Sequence, residues 1–209
     1  MADQFRDRLL EIRRKFHRYP EPGWREFYTT HMLVEELRSI GVDEIAVGTE
    51  AYDSDDRMAV PEKDSIDRWY EWARSRGADP YLLETMAGGN TGLVAVLDNG
   101  DGPHVGLRVD IDGICIEESN EETHDPNAKS FRSETDETMH ACGHDVHMTW
   151  GLATIAELKA SDFDGTLTVF FQPAEEIAGG GHAMVNGPYA DGLDYLFAVH
   201  VGLGHPTGE

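Results

Sequence analysis

The sequence predicts an α/β fold, a mixed and largely parallel sheet flanked by helices. Three observations point there. From Thr91 onward, short apolar runs alternate with segments of helical period. Runs such as 92–97 are apolar at consecutive rather than alternate positions, as strands covered on both faces are. With 209 residues, 40% hydrophobic and 9% aromatic, the chain has enough apolar side chains for a core and is one domain by default.

Taken in order, residues 3–18 predict a helix, because Phe5, Leu9, Ile12 and Phe16 recur at helical spacing between Arg and Asp. Pro20 and Pro22 end it, since each proline keeps its predecessor out of the helical region. A second helix is expected over 24–40, with Tyr28, Met32, Leu33, Leu37 and Ile40 on one face and Gly41 as the stop, followed by a strand over 44–47. Residues 49–90 predict a helical excursion inserted between two strands. Trp69, Tyr70 and Trp72 sit in one helix, and Asp79-Pro80 opens another. Strands are then expected over 92–97 and 105–111, a polar surface loop over 117–138 and a helix over 146–158. The remaining expectations are a strand over 166–171, a short helix over 181–186 and a last strand over 195–201.

Forty acidic against 17 basic residues leave a net charge of −23. That surplus argues against nucleic acid or an anionic membrane as partner, because both need clustered Lys and Arg. No apolar run approaches the roughly 20 residues of a membrane span, and the charged N-terminus has no apolar signal core. Cys115 and Cys142 do not make a disulfide framework. These features predict a soluble, cytoplasmic protein. Lysine supplies only Lys15, Lys63, Lys129 and Lys159, and an acidic, lysine-poor surface suits a halophilic cytoplasm, where salt screens self-repulsion.

The chemistry-bearing residues gather at predicted strand ends, where sites of open α/β sheets sit. His140, Cys142, His144, Asp145 and His147 lie within eight residues. A thiolate and an imidazole two residues apart can both ligate a divalent ion, and Gly143 lets the chain turn between them; a buried thiol beside surface histidines is the alternative. Glu175 and Glu176 follow a strand. Adjacent carboxylates point in different directions, so one can bind metal while the other faces a water, although an acidic turn is the plainer reading. His200 in an apolar strand reads as a core histidine or a ligand, and Asp110 and Asp112 as turn residues or site groups. His17, His31, His104, His124 and His182 carry no site role on this reading. Spacing alone points to a metal hydrolase.

Together the motifs Arg14–Glu21 with Gly23 and Glu26, Leu107–Asp112, Met139–His147 and Phe171–Glu176 resemble the metal-dependent amidohydrolases of the aminoacylase and carboxypeptidase type. Within that family, the 49–90 insertion and the ending Ala198–Gly202 with Pro206-Thr207-Gly208 look most like the aminobenzoyl-glutamate hydrolase branch. The resemblance implies a zinc-peptidase-like catalytic domain and hydrolysis of the amide of an N-acyl (aroyl) amino acid, a small-molecule substrate. It implies metal ligation by Cys142, His144, Glu176 and His200, with Glu175 as general base toward the attacking water and Asp112 supporting the site. Two divalent ions are implied, for which thiolate, imidazole and carboxylate together suit Zn, Mn or Co. Where the family often has Ala-Leu-Pro after its Asp-x-Asp, this chain has Gly113-Ile114-Cys115, and Cys115 reads as a buried thiol. Family members continue into a lid and dimerisation domain and return with one further metal-binding histidine. The chain is therefore expected to be the N-terminal portion of a catalytic domain whose full-length form is a homodimer. A catalytically silent fragment with a partial metal site is the alternative, and a structural zinc module a weaker one; metal stoichiometry separates the three.

Overall fold

The computed structural model describes residues 2–202, with side chains described from residue 6 onward. The side chain of Phe5, His205 and the 206–208 ending lie outside the described residues.

Helix α1 (Ala2–Arg18) buries Ile12 and Phe16, as its spacing predicts. Helix α2 (Phe27–Ile40) begins three residues later than expected. Trp24 adopts a left-handed φ of 62°, so residues 22–26 form a turn of their own, closed by Arg25 N–H donating to the Pro22 carbonyl. Glu26 precedes α2 without capping it. The buried carboxylate of Glu21 does so instead, accepting from the N–H groups of Tyr28 at 2.9 Å and Thr29 at 2.6 Å.

Strand β1 (Glu44–Val47) is followed by the expected helical excursion: two 3₁₀ turns, then α3 (Lys63–Ser75) and α4 (Pro80–Thr85). Ile66, Trp69, Ala73, Leu82, Leu83 and Met86 from this excursion join the main core. Strands β2 (Leu93–Asp98) and β3 (His104–Asp110), short α5 (Asp125–Ala128), α6 (His144–Lys159), β4 (Thr166–Gln172), α7 (Gly180–Asn186) and β5 (Tyr195–Ala198) complete the chain.

The five strands form one mixed sheet in the order β1-β2-β4-β3-β5. Pairing is antiparallel between β1, β2 and β4 and parallel between β4, β3 and β5, so parallel pairing occupies one half of the sheet. Period-two alternation explains its consecutive apolar residues. Leu93, Ala95 and Leu97 of β2, with Leu167, Val169 and Phe171 of β4, face the core under α1, α2 and α6. Val94 and Phe170 face a second core containing Trp24, Tyr52 and Met184.

Three expectations are corrected. The last strand stops at Ala198, so His200 lies beyond it and is exposed rather than in a core; among the described residues β5 pairs with β3 alone, and Tyr195, Leu196 and Phe197 are about 60% exposed. The 117–138 segment is not a simple surface loop, because Glu118, Phe131, Ser133, Thr135 and Thr138 are buried. Cys115 is exposed, one residue past the isolated bridge that Ile114 makes with Met139. No helix among the described residues is long and apolar enough to cross a membrane.

Candidate metal centre

Sheet register brings the chemistry together. Parallel β3 and β4 end side by side, with Asp110 opposite Gln172, and β5 runs the same way on the other side of β3. Asp112, Glu175, Glu176 and His200 therefore emerge at one edge of the sheet, and α6 starts there with His144. Gly143 makes that start possible: its φ is +85°, and a Cβ on it would lie 2.4 Å from Val201 Cγ1.

Three overlapping groups have ligand-type atoms all within 4.8 Å of one another: Cys142, His144 and His200; Asp110, His144 and His147; and His144, Glu175 and Glu176. His144, fully buried, belongs to all three. Its Nδ1–H donates to the Asp112 carbonyl at 2.8 Å, which directs Nε2 at the carboxylates. Nε2 lies 3.5 Å from Glu176 Oε1, 3.7 Å from Glu175 Oε2 and 3.6 Å from Asp110 Oδ1. Cys142 Sγ is 3.5 Å from His200 Nε2, and His200 Nδ1–H donates to the Val201 carbonyl.

Buried His144 Nε2 and Glu176 Oε1 make no hydrogen bond. Buried polar atoms are nearly always satisfied, so two facing orphans amid converging carboxylates are what a divalent cation fits. The electrostatics agree. Burial pulls the His144 pKa down, but the hydrogen bond to Asp112 and the charges of Asp110, Asp112 and Glu176 outweigh it and push the group up to about 9. Burial, with Glu176, Glu175 and Asp110 nearby, pushes the Cys142 thiol up to about 11, and burial also raises Glu176. The pocket is rich in negative charge and holds a proton where a metal ion would compete for the same lone pairs.

The rest of the tight His/Cys/Asp group divides: His147 stays beside His144 and Asp110, while His140 and Asp145 turn toward His17. His147 Nδ1–H donates to Asp110, and its Nε2 accepts from Val201 N–H at 2.8 Å, so both nitrogens are committed. Asp145 and His140 point to the opposite side of the loop, toward His17. Fully buried Asp112 accepts from Glu176 N–H at 2.9 Å and so helps fix the segment bearing both glutamates.

Sequence reasoning gave no role to several buried polar groups. His17 Nδ1 meets Asp145 at 2.7 Å, and its Nε2 meets Glu118 at 2.9 Å. His124 also bonds Glu118, and Arg13 pairs with Asp145 at 2.8 Å. Glu21 and Glu26 are fully buried as well, although both sit in the N-terminal motif, which could have signalled a structural duty.

Residues 106–209 match the family model of peptidase family M20/M25/M40. One p-aminobenzoyl-glutamate hydrolase subunit of Escherichia coli is 40% identical over 204 residues, which are 96% of this chain and 47% of that protein. Among solved structures, an aminobenzoyl-glutamate utilization protein from Klebsiella pneumoniae superposes with a TM-score of 0.77 at 32% identity, covering 98% of this chain and 47% of that one. The Bacillus subtilis protein YXEP, described as a dinuclear metal-binding peptidase, gives a TM-score of 0.67 at 29% identity, over 95% of this chain and 44% of that one. The chain thus spans about half the length of the relatives it matches. A family model over its second half, a relative aligned along nearly all of it and neighbours sharing its mixed sheet agree: this chain belongs to peptidase family M20/M25/M40.

Proposed function

We propose that this protein hydrolyses the amide bond of N-acyl amino acids, with aminobenzoyl-glutamate-like compounds as the substrate class. Cys142, His144, Glu176 and His200 would hold one or both of two divalent ions, and Glu175 would be the general base. The observation that carries this reading is the pair of unpartnered buried atoms, His144 Nε2 and Glu176 Oε1, at a strand edge where a thiol, a second imidazole and a second glutamate converge. When bound, such ions supply Lewis acidity that polarises an amide carbonyl and lowers the pKa of water.

The residues divide the remaining work. Glu175, whose side chain is about a third exposed, is open to substrate; it accepts the proton of the attacking water and delivers it to the leaving nitrogen. Asp112 orients two proposed ligands, through its carbonyl on His144 and its carboxylate on Glu176. Asp110 orients His147, whose Nε2 receives Val201 N–H beside His200. The names of the relatives support an aroyl-glutamate among the candidate substrates. The choice among Zn, Mn and Co, a homodimer and a further ligand beyond the matched half belong to the same proposal.

The test is amino-acid release from aminobenzoyl-glutamate and other N-acyl amino acids, measured beside metal stoichiometry. Turnover abolished by a chelator and restored by Zn, Mn or Co is the expected result. Bound ions without turnover on any N-acyl amino acid would favour the silent-chain reading, and one tetrahedral zinc without turnover a structural module.

A further inference from the structure

The segment Pro20–Glu26 stands out in the sequence, yet the chemistry above leaves most of it without a role. Glu26 is fully buried, and both its oxygens are used. Oε1 accepts from Ala174 N–H at 2.8 Å, and Oε2 from the Thr91 hydroxyl. Ala174 is no ordinary partner: it is a non-glycine residue at φ +56°, a region that a side chain bearing Cβ rarely occupies. Such a conformation persists only where the surroundings over-determine it. Here Glu26 holds the Ala174 N–H, while Gly179 N–H holds its carbonyl at 2.8 Å. Gly23 presses against it from below, so closely that a Cβ on Gly23 would lie 2.9 Å from Ala174 Cα. The next two residues are Glu175 and Glu176, and Asp112 receives the Glu176 N–H. Two buried carboxyl groups from distant parts of the chain thus grip alternate amides of one short segment.

We propose that Glu26 is a positioning residue for Ala174–Glu176: by fixing the left-handed turn at Ala174 it aims the Glu175 carboxylate and presents Glu176 to the metal centre. It acts through Ala174, and the inference rests on the roles proposed above for Glu175 and Glu176. Burial, with the Asp112 charge nearby, pushes the Glu26 pKa up to about 8, so near neutral pH the group is largely the uncharged acid. Glutamine is a close mimic of that form. Its carbonyl can accept from Ala174 N–H while its amide donates to the Thr91 oxygen. Leucine removes both bonds, and aspartate, one methylene shorter, cannot span from Ala174 to Thr91.

The experiment compares Glu26→Gln, Glu26→Leu and Glu26→Asp in the whole protein. It reads hydrogen exchange at the Ala174 amide, Zn²⁺ affinity by titration, and kcat and KM on an N-acyl amino acid. Supporting groups around metal ligands typically alter affinity or activity by about 10–100-fold. Glu26→Leu and Glu26→Asp should lose about that factor in Zn²⁺ affinity and in kcat, with KM within about 2-fold and exchange at Ala174 accelerated at least about 10-fold. Glu26→Gln should restore all three readouts to near the parent values. If Glu26→Leu does not fold, Glu26→Gln and Glu26→Asp decide the matter between them. Unchanged exchange at Ala174 with unchanged Zn²⁺ affinity in Glu26→Asp overturns the inference, as does a Glu26→Gln protein damaged as severely as Glu26→Asp. Exchange and Zn²⁺ binding are read whether or not amides are cleaved. A parent protein without turnover therefore counts against the proposed function, not against the hold of Glu26 on Ala174.

Discussion

Two clusters of buried acids and imidazoles flank the same segment, residues 140–145 at the start of α6, and they differ in one respect. On one side, His17 uses both ring nitrogens, on Asp145 and Glu118. Glu118 receives His17 and His124 on one oxygen and Ser133 N–H on the other, while Asp145 receives His17 on one oxygen, which also forms an ion pair with Arg13, and Val146 N–H on the other. On the other side, His144 Nε2 and Glu176 Oε1 face each other at 3.5 Å without a hydrogen bond. The first cluster is closed at His17, Asp145 and Glu118, whose side-chain nitrogens and oxygens all have partners, and the second is open. Density of titratable residues does not mark a metal centre; unsatisfied ligand atoms that converge do. His140, beside the closed cluster, is its loose member: neither ring nitrogen has a partner, and burial pushes its pKa down to about 4, so it is neutral at pH 7.

The largest expected effect lies in the open cluster. Glu175→Gln keeps shape and hydrogen bonding but cannot take a proton, so hydrolysis should fall by at least about 10²–10⁴-fold with metal content nearly unchanged. Glu176→Gln should lose metal together with activity. Metal analysis beside rate assays on both variants decides it, and the reverse pattern would show that the two carboxylates have exchanged roles.

Breaking the closed cluster should do the opposite. Glu118→Ala leaves buried His17 without one counter-charge, and removing one partner of a buried pair typically costs about 3–5 kcal/mol. At about 2–4 °C per kcal/mol for a chain of this size, the melting temperature should drop by roughly 10 °C, with metal stoichiometry intact. A Glu118→Ala protein that keeps its melting temperature and loses its metal would erase the distinction between the clusters.

The clusters should also respond oppositely to pH. Burial alone would lower the His17 pKa, but Asp145 and Glu118 outweigh it and hold the group above 6.5. His17 therefore contributes its full stabilisation below about pH 6.5 and loses it as pH rises through the higher folded value. Burial opposes ionisation of Asp145 and Glu118 too, yet hydrogen bonds from His17 hold both below their ordinary values, so their contribution is present above about pH 4.5 and lost on acidification. The melting-temperature gap between the parent and His17→Asn should be widest between about pH 4.5 and 6.5 and narrow toward pH 9. If His144 and Cys142 are ligands as proposed, metal affinity should rise over that same upper range, since they must give up protons held to about 9 and 11. A gap that widens above pH 6.5 would contradict the charged state assigned to His17.

The difference between the clusters also explains what the sequence made legible. Local pattern placed Cys142, His144, Glu175 and Glu176 at predicted strand ends, and parallel register carries those ends to one side of the sheet. The roles proposed for them came from the family resemblance, because an acidic turn and a buried thiol read equally well from the residues alone. His17 was not readable, because its partners are 128 and 101 residues away. Glu26 likewise meets Ala174 across 148 residues. Glu118 sits in a stretch whose composition resembles a surface loop, and only the fold turns its carboxylate inward. The exposure of β5 was invisible for the same reason. An apolar run reports what a strand can bury, while its neighbours decide what is buried.

Salt gives the smallest expected effect and isolates a third population of charges, the exposed acids behind the net charge of −23. The Debye length falls from about 30 Å at 0.01 M to about 3 Å at 1 M, so repulsion among exposed carboxylates fades while buried pairs are screened much less. The melting temperature should therefore climb by several degrees between low and molar NaCl, the behaviour proposed for a protein adapted to concentrated salt. The same climb should appear in Glu118→Ala, because the closed cluster contributes little to the salt-sensitive part. Parallel melting curves across a salt series for the two proteins make the comparison. A flat curve would mean that interleaved arginines already offset the acids locally, as exposed pairs such as Arg68 with Glu137 and Arg74 with Glu71 do. A steeper curve in Glu118→Ala than in the parent would mean that solvent reaches His17 once its partner is gone, so that the closed cluster depends on Glu118 for its dryness as well as for its charge.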